Sequence, residues 1–273
     1  MTSSKRHQWT LKPTRHVRFT GRLRLTSALH IGSGSETAGG VDAGVVRRSD
    51  GQPYIPGSSL KGVLRSHLER LAQADGLKAV SSCGLYEPFG DRQCPTPTWI
   101  EEGKDSTRAE EADFEKLCYT CTLFGSPILA GKVRLPDLDL KAHEADPTTF
   151  VQQTEVRNGV GINRDSGQAQ PGVLYDFEVV PPDTVFGFDL MVDSPDKNEL
   201  GLLCAGLQDL CHGRLPIGGK TTRGLGHCVL EQLTVTDHDF STPEGLKAHL
   251  LRQEAAPQDG ADYLHDHIND LFT

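Results

Sequence analysis

Residues 30–66 read HIGSGSETAGGVDAGVVRRSDGQPYIPGSSLKGVLRS. A glycine-rich loop leads to a lone acid, Asp42, set among Gly39, Gly40, Val41, Ala43 and Gly44. A second turn, Pro56, Gly57, Ser58 and Ser59, opens a helix, because Leu60, Val63, Leu64, Leu68 and Leu71 recur at helical spacing. Ser58 or Ser59 is the expected N-cap, leaving amide groups to meet an anion. Lys61 and Arg65 fall in the first turns, off the apolar stripe. The stretch therefore has the makings of an anion site: backbone donors, two cations and one carboxylate nearby. Read by itself, an aspartate among glycines is a turn residue or a catalyst. Its small neighbours would let a bulky polymer come close.

Working outward, residues 17–25 alternate. Val17, Phe19, Leu23 and Leu25 point one way and Arg18, Arg22 and Arg24 the other, as in a strand with one buried face. Residues 1–15 form a basic arm. Downstream of the helix, residues 75–122 look inserted, with four cysteines and an acidic stretch over 101–115. Residues 137–172 are polar and suit a projecting hairpin. Alternation resumes at Tyr175, Phe177 and Val179, and again at Phe186, Phe188, Leu190 and Val192. Ser194, Pro195 and Asp196 signal a helix start, followed by the stripe Leu203, Leu207, Leu210 and Cys211. The segment PIGGKTTRGLG precedes a last strand near residues 228–235, and residues 237–273, acidic and histidine-bearing, read as a C-terminal helix or a mobile tail. This order predicts an α+β protein with a ferredoxin-like core and two insertions.

At 273 residues, with 36% hydrophobic and 24% charged residues, the chain is globular. No apolar run reaches membrane-spanning length, so a soluble cytoplasmic protein with no membrane partner is expected. The net charge of −9 argues against nucleic acid, but its distribution argues for it. Residues 1–70 carry 12 Lys/Arg and 4 Asp/Glu, and the remainder 16 and 33. A basic surface patch in the first part of the chain is the resulting expectation.

Seven cysteines in a chain this long do not suggest a disulfide scaffold. Cys118 and Cys121 form a Cys-x-x-Cys turn, with Cys83 and Cys94 upstream. Four thiolates from two limbs can close a tetrahedral zinc site and substitute for a missing core. The gap from Cys83 to Cys94 is wide, so a histidine in place of Cys94 stays open, as do unligated thiols and redox use. Gly218-Gly219-Lys220-Thr221-Thr222-Arg223-Gly224 is not a P-loop: Arg214 stands where the first glycine belongs, and a helix precedes while a strand follows. It reads as a turn whose backbone approaches a sugar–phosphate chain, with Lys220 and Arg223 neutralising charge. A plain sheet-closing turn is the alternative.

These motifs resemble the RAMP superfamily. The residues that carry the likeness are HIGSG at 30–34, VDAGVVR at 41–47, IPGSSLKGVLRS at 55–66, LFGS at 123–126, VGINRDSGQA at 160–169 and GGKTTRGLG at 218–226. More narrowly, they resemble the Csm/Cmr-type backbone subunits of type III CRISPR–Cas effector complexes. The resemblance implies an RRM-like palm over residues 16–236 with a β-hairpin thumb at about 137–172, a zinc-finger-like insertion at 75–122 of a type III-D-like kind, and an acidic extension at 237–273. It implies subunits stacked with copies or relatives along a CRISPR RNA, beside other Cas subunits. It makes Asp42 the residue that cleaves guide-paired target RNA, with Mg²⁺ as the catalytic ion and Zn²⁺ structural at Cys83, Cys94, Cys118 and Cys121. Ser58, Ser59, Lys61, Arg65, Lys220 and Arg223 would hold the guide, and Arg164 the guide–target duplex. Two rivals are an inactive guide-binding scaffold of the same complex and a zinc or redox enzyme acting on a small molecule.

Overall fold

The computed structural model describes residues 13–34, 42–84, 94, 117–141, 154–251 and 256–273. Most of the basic arm, the acidic stretch at 101–115 and the first part of the expected hairpin lie outside these residues.

Strand β1 (Arg15–Leu25) follows its alternation: Val17, Phe19, Leu23 and Leu25 are fully buried. It pairs antiparallel with β5 (Val185–Asp193) on one edge and β6 (Cys228–Asp239) on the other. Phe19 faces Leu190 and Val235 across the two ladders, and Leu23 faces Phe186 and Leu230. Short strands β2 (Val133–Arg134) and β7 (Gln258–Asp259) close the edges, giving the order β2-β5-β1-β6-β7. A separate two-stranded sheet joins β3 (Glu155–Ile162) to β4 (Ala169–Val179).

Helix α1 (Gly57–Leu71) buries Leu60, Leu64 and Leu68, and α3 (Lys197–Cys211) buries Leu200, Leu203, Leu207 and Leu210. These side chains and the inward face of the sheet form one core, each buried leucine contributing about 1.5–3 kcal/mol. A short helix, α2 (Tyr119–Phe124), carries part of the cysteine region. The elements β1, α1, β2, β5, α3 and β6 follow a β-α-β-β-α-β succession in a mixed fold with an antiparallel sheet. The start of α3 is set by a capping box between Asp196 and Glu199, as its Ser-Pro-Asp signal suggests.

Three differences from the sequence reading have physical causes. Tyr175, Phe177 and Val179 belong to the hairpin strand β4, and the main sheet resumes only at Val185, since alternation does not say which sheet a strand joins. The described hairpin thus runs from 155 to 179. Residues 256–273 are part of the core: α5 (Gly260–Asn269) buries Tyr263 and Leu264, and Leu271 follows them. Between them and β6 lies α4 (Pro243–Leu250), which has no buried residue.

The third difference is electrostatic. The basic patch expected from residues 1–70 does not form on β1, because acids from the second half of the chain fold onto its arginines. Arg15 pairs with Asp237, Arg18 with Asp189 at 2.7 Å and Arg24 with Glu231 at 2.6 Å. Segregation along the sequence is undone by strand pairing. Among the described residues, no helix is long and apolar enough to cross a membrane.

One ion pair lies inside the core. Lys132 Nζ donates to Glu199 Oε2 at 2.5 Å and to the Ser194 carbonyl at 3.1 Å, and the two side chains are 4% and 1% exposed. Lys132→Met strands the Glu199 carboxylate and should cost about 3–5 kcal/mol in urea melts. Adding Glu199→Leu should restore most of that, short of about 1 kcal/mol for the lost helix cap. A single variant as stable as the parent would refute the role given to this pair.

Candidate nucleic-acid interface and metal centre

Asp42 is exposed, and its Oδ2 accepts the Asp176 N–H of β4 at 3.0 Å. The chain beside it is strapped to the same strand. Ala43 N–H donates to the Asp176 carbonyl at 3.2 Å, and Glu178 N–H donates to the Ala43 carbonyl at 2.9 Å. On the other side, Ser33 N–H donates to the Gly44 carbonyl and Val46 N–H to the Ile31 carbonyl. The acid therefore sits on a backbone held from both edges.

Glu178 is the bolt of this strap. Its Oε2 accepts Val45 N–H at 3.0 Å, and its Oε1 accepts the Thr154 hydroxyl at 2.7 Å and the Arg47 guanidinium. Burial alone would raise its carboxyl, but Thr154, Val45 N–H and Arg47 outweigh burial and hold it below the usual carboxylate range. Arg47 also reaches the Gly51 carbonyl at 2.7 Å, closing the loop behind Asp42.

The glycine-rich turn meets this strap. Gly219 N–H donates to the His30 carbonyl and Gly226 N–H to the Ala28 carbonyl, each at 2.8 Å. Gly218 and Gly226 have φ of +77° and +81°, and a Cβ on Gly226 would lie 1.9 Å from the Ile217 carbonyl oxygen. Only glycine fits there. A 3-10 turn, Thr221–Arg223, then carries the cations. Lys220 Nζ lies 4.7 Å from the Phe177 ring centre and 5.4 Å from that of Tyr175, within cation–π range. Exposed Arg223 bonds the Tyr175 hydroxyl. His30 donates from Nδ1 to the Glu178 carbonyl at 2.7 Å and packs edge-on against Phe177. Residues 28–34, 42–47, 175–178 and 218–226 thus share one end of the molecule.

The start of α1 is built differently from the sequence expectation. Its N-cap is Pro56, and neither serine side chain caps it. Ser58 is exposed and Ser59 half-buried. Gly57 N–H donates to Asp137 Oδ1 at 2.9 Å, while Ser59 and Leu60 N–H groups turn to the Pro56 carbonyl. A carboxylate eighty residues downstream takes the place foreseen for an outside anion at Gly57. Lys61 Nζ donates to the Val133 carbonyl at 2.7 Å, and burial, with the charge of Arg65, lowers its ammonium below the usual lysine value. Arg65 is bonded to Glu69, the Gly125 carbonyl and Cys121 Sγ. Lys61 and Arg65 share no partner with Lys220 and Arg223, so the four cations divide into two groups. Arg164 is exposed in the turn at the tip of the β3–β4 hairpin.

The cysteines do converge. The sulfurs of Cys83, Cys94, Cys118 and Cys121 all lie within 4.8 Å of one another, and all four residues are buried and unbridged. Cys94, for which a histidine was an alternative, is one of the four. Cys118 is held well below the ordinary thiol range by its bonds to Cys121, Cys83 and Cys94, while contact with Cys118 pushes Cys121 up. Four soft donors at this spacing can hold a metal ion in a tetrahedral shell. Cys204 and Cys228 are core residues, and Cys211 is half-buried at the end of α3.

Sequence reasoning missed Glu178, Arg47, His30, Tyr175 and Phe177 as parts of the site. Tyr175 and Phe177 carried a strand signal without its location. Glu178 and Arg47 lie 131 positions apart and leave no local pattern.

Known proteins resemble the chain over most of its length. The family model for the RAMP superfamily matches residues 22–229. A curated relative from Methanothermobacter thermautotrophicus, named CRISPR system Cms endoribonuclease Csm3, is 25% identical over 228 residues, covering 80% of this chain and 85% of its own. A protein of the same name from Streptococcus thermophilus is 25% identical over 234 residues, covering 81% and 89%. A third, from Methanocaldococcus jannaschii, is 41% identical over 80 residues, covering 29% and 31%. With the match spanning most of its length, this chain belongs to the RAMP superfamily.

Proposed function

We propose that the chain is a backbone subunit of a type III CRISPR effector complex and cuts target RNA paired to its guide through Asp42. In this reading the main sheet with its two helices is the RRM-like palm, and the β3–β4 hairpin is the thumb. The subunit works in the cytoplasm, stacked with copies or relatives along a CRISPR RNA and beside other Cas subunits. The observation that carries the reading is the strapping of Asp42 to the hairpin base, at the end of the molecule that also bears Lys220 and Arg223. The relatives' printed name, an endoribonuclease of a CRISPR system, supports it.

The chemistry follows from the parts. Lys220 and Arg223 attract phosphates without reading bases. Ser58 and Ser59, at the opening of α1, are further backbone contacts, and Arg164 reaches the guide–target duplex from the hairpin tip. Lys61 and Arg65 have donors engaged within the fold and contribute positive potential rather than direct grip. Bending of the RNA lines up a 2′-hydroxyl with its own phosphate. Asp42 takes or orients the 2′-proton as the 2′-oxygen bonds phosphorus and the bond to the 5′-oxygen breaks. The products are a cyclic phosphate and a 5′-hydroxyl. DNA lacks that nucleophile and is spared.

Among the described residues, the cysteines are the one group of three or more His, Cys, Asp or Glu side chains set to hold a metal. Asp42 would be the protein's carboxylate for a Mg²⁺ ion, which would supply neutralisation of developing phosphate charge. For the cysteine centre we propose structural Zn²⁺, which would supply the cohesion of a region with a small core of its own.

Asp42→Ala should abolish cutting of matched RNA by the assembled complex while target binding survives in gel-shift assays. Equal cutting by the variant would remove Asp42 from the mechanism. Cys118→Ser should release zinc, measured by metal analysis of the purified protein, and lower stability by several kcal/mol. Unchanged metal content, or a parent protein without metal, would refute the zinc assignment.

A further inference from the structure

We propose that Arg65 is the outer-shell cation of the four-cysteine centre: it hydrogen-bonds the Cys121 sulfur and couples metal occupancy to the seating of α1. This rests on the reading of the cluster as a metal site.

Four thiolates around one divalent ion leave a centre with net negative charge. In a buried pocket that charge needs donors aimed at the sulfurs. Three are in place. Cys118 N–H donates to Cys94 Sγ at 3.1 Å, the Thr120 hydroxyl lies 3.2 Å from Cys118 Sγ, and Arg65 Nη2 donates to Cys121 Sγ at 3.5 Å. The first two are neutral, and Arg65 brings the charge.

The guanidinium is held in plane for this task. Its Nε donates to Glu69 Oε1 at 2.8 Å and its Nη1 to the Gly125 carbonyl at 2.9 Å. Gly125 is the C-cap of α2, the helix that carries Cys121, so the fork clasps the end of that helix and a sulfur together. Lysine has no such planar fork. The backbone position of Arg65 is fixed by its neighbour Leu64, which is fully buried in the main core. Through this residue the metal centre and the core share a rigid connection.

A like-charge neighbour on the same helix adds to the demand for negative charge beside Arg65. Lys61 and Arg65 stand four residues apart on α1, a like-charge spacing that destabilises a helix by itself. Both are half-buried, and each side chain turns toward the segment that follows the cysteines, at Val133 and Gly125. Glu69 balances part of that charge. A negatively charged tetrathiolate, met by Arg65 at Cys121 Sγ, would add to that balance.

The test uses the full chain loaded with zinc or cobalt(II). Chelator competition should show Arg65→Gln binding zinc about 10- to 100-fold more weakly than the parent. Loss of the hydrogen bond should also move the sulfur-to-cobalt charge-transfer band to lower energy. Arg65→Lys, keeping the charge without the fork, should fall between, and it decides the matter if Arg65→Gln yields no folded protein. Glu69→Gln removes the carboxylate charge but keeps an Oε1 to accept the Arg65 Nε–H, so it should leave the cobalt band in place. Parent-like affinity and band in the Arg65 variants would overturn the proposal. So would a Glu69→Gln variant that reproduces the full effect, since a structural ion pair would then suffice. A parent chain that binds neither ion would sink the metal reading itself, a separate result.

Discussion

Strand β1 is hydrogen-bonded along both edges, and its antiparallel partners decide where everything else can lie. Since β5 and β6 run against it, both begin where β1 ends. Leu25 N–H donates to the Thr184 carbonyl, and Thr26 N–H to that of His227. The hairpin base that leads into β5, the glycine turn that leads into β6 and the loop that leaves β1 are therefore brought to one end of the sheet. Asp42, Tyr175, Lys220 and Arg223 meet there as a consequence of strand direction. A one-residue slip of β1 would turn its arginines into the core and Phe19 to solvent, so the register is strongly fixed.

The parts of this architecture written in local periodicity were legible. The alternation of β1, the leucine stripes of α1 and α3 and the Ser-Pro-Asp helix start need only neighbouring residues to be read. What was illegible depends on distant pairs. Asp137 occupies the start of α1 from a position eighty residues later. Arg15, Arg18 and Arg24 look like an open basic face until β5 and β6 bring their acids. Glu178, which locks the Asp42 segment, sits in a strand whose alternation describes burial and not bonding. The cysteines fall between these cases: their chemistry is plain from residue type, but spacing left Cys94 in doubt, and only folding brings it beside Cys118.

The cations divide by the company they keep. Half-buried Lys220 lies over the rings of Phe177 and Tyr175, and exposed Arg223 bonds the Tyr175 hydroxyl, partners that leave both cations their attraction for a passing anion. Lys61 and Arg65 are half-buried and bonded to carbonyls, a carboxylate and a sulfur. Two motifs expected from the sequence to share one task thus differ in their surroundings. One stands at the end of the sheet beside Asp42, and the other is engaged within the fold between α1 and the segment that follows the cysteines.

The β3–β4 hairpin carries Val156, Val160, Ile162, Val173 and Leu174 exposed, and among the described residues it is a two-stranded sheet of its own. An isolated pair of strands is marginal in water, so order must be supplied from its ends. At the inner end Glu178, Phe177 and the Asp42 segment supply it; at the tip nothing within the described chain does. Backbone amides should then exchange with solvent in a gradient, slow beside Phe177 and fast beside Arg164. Whatever settles on the outer half would quench that gradient from the tip inward, and the stiffening would arrive at the strand to which the lone acid is fastened.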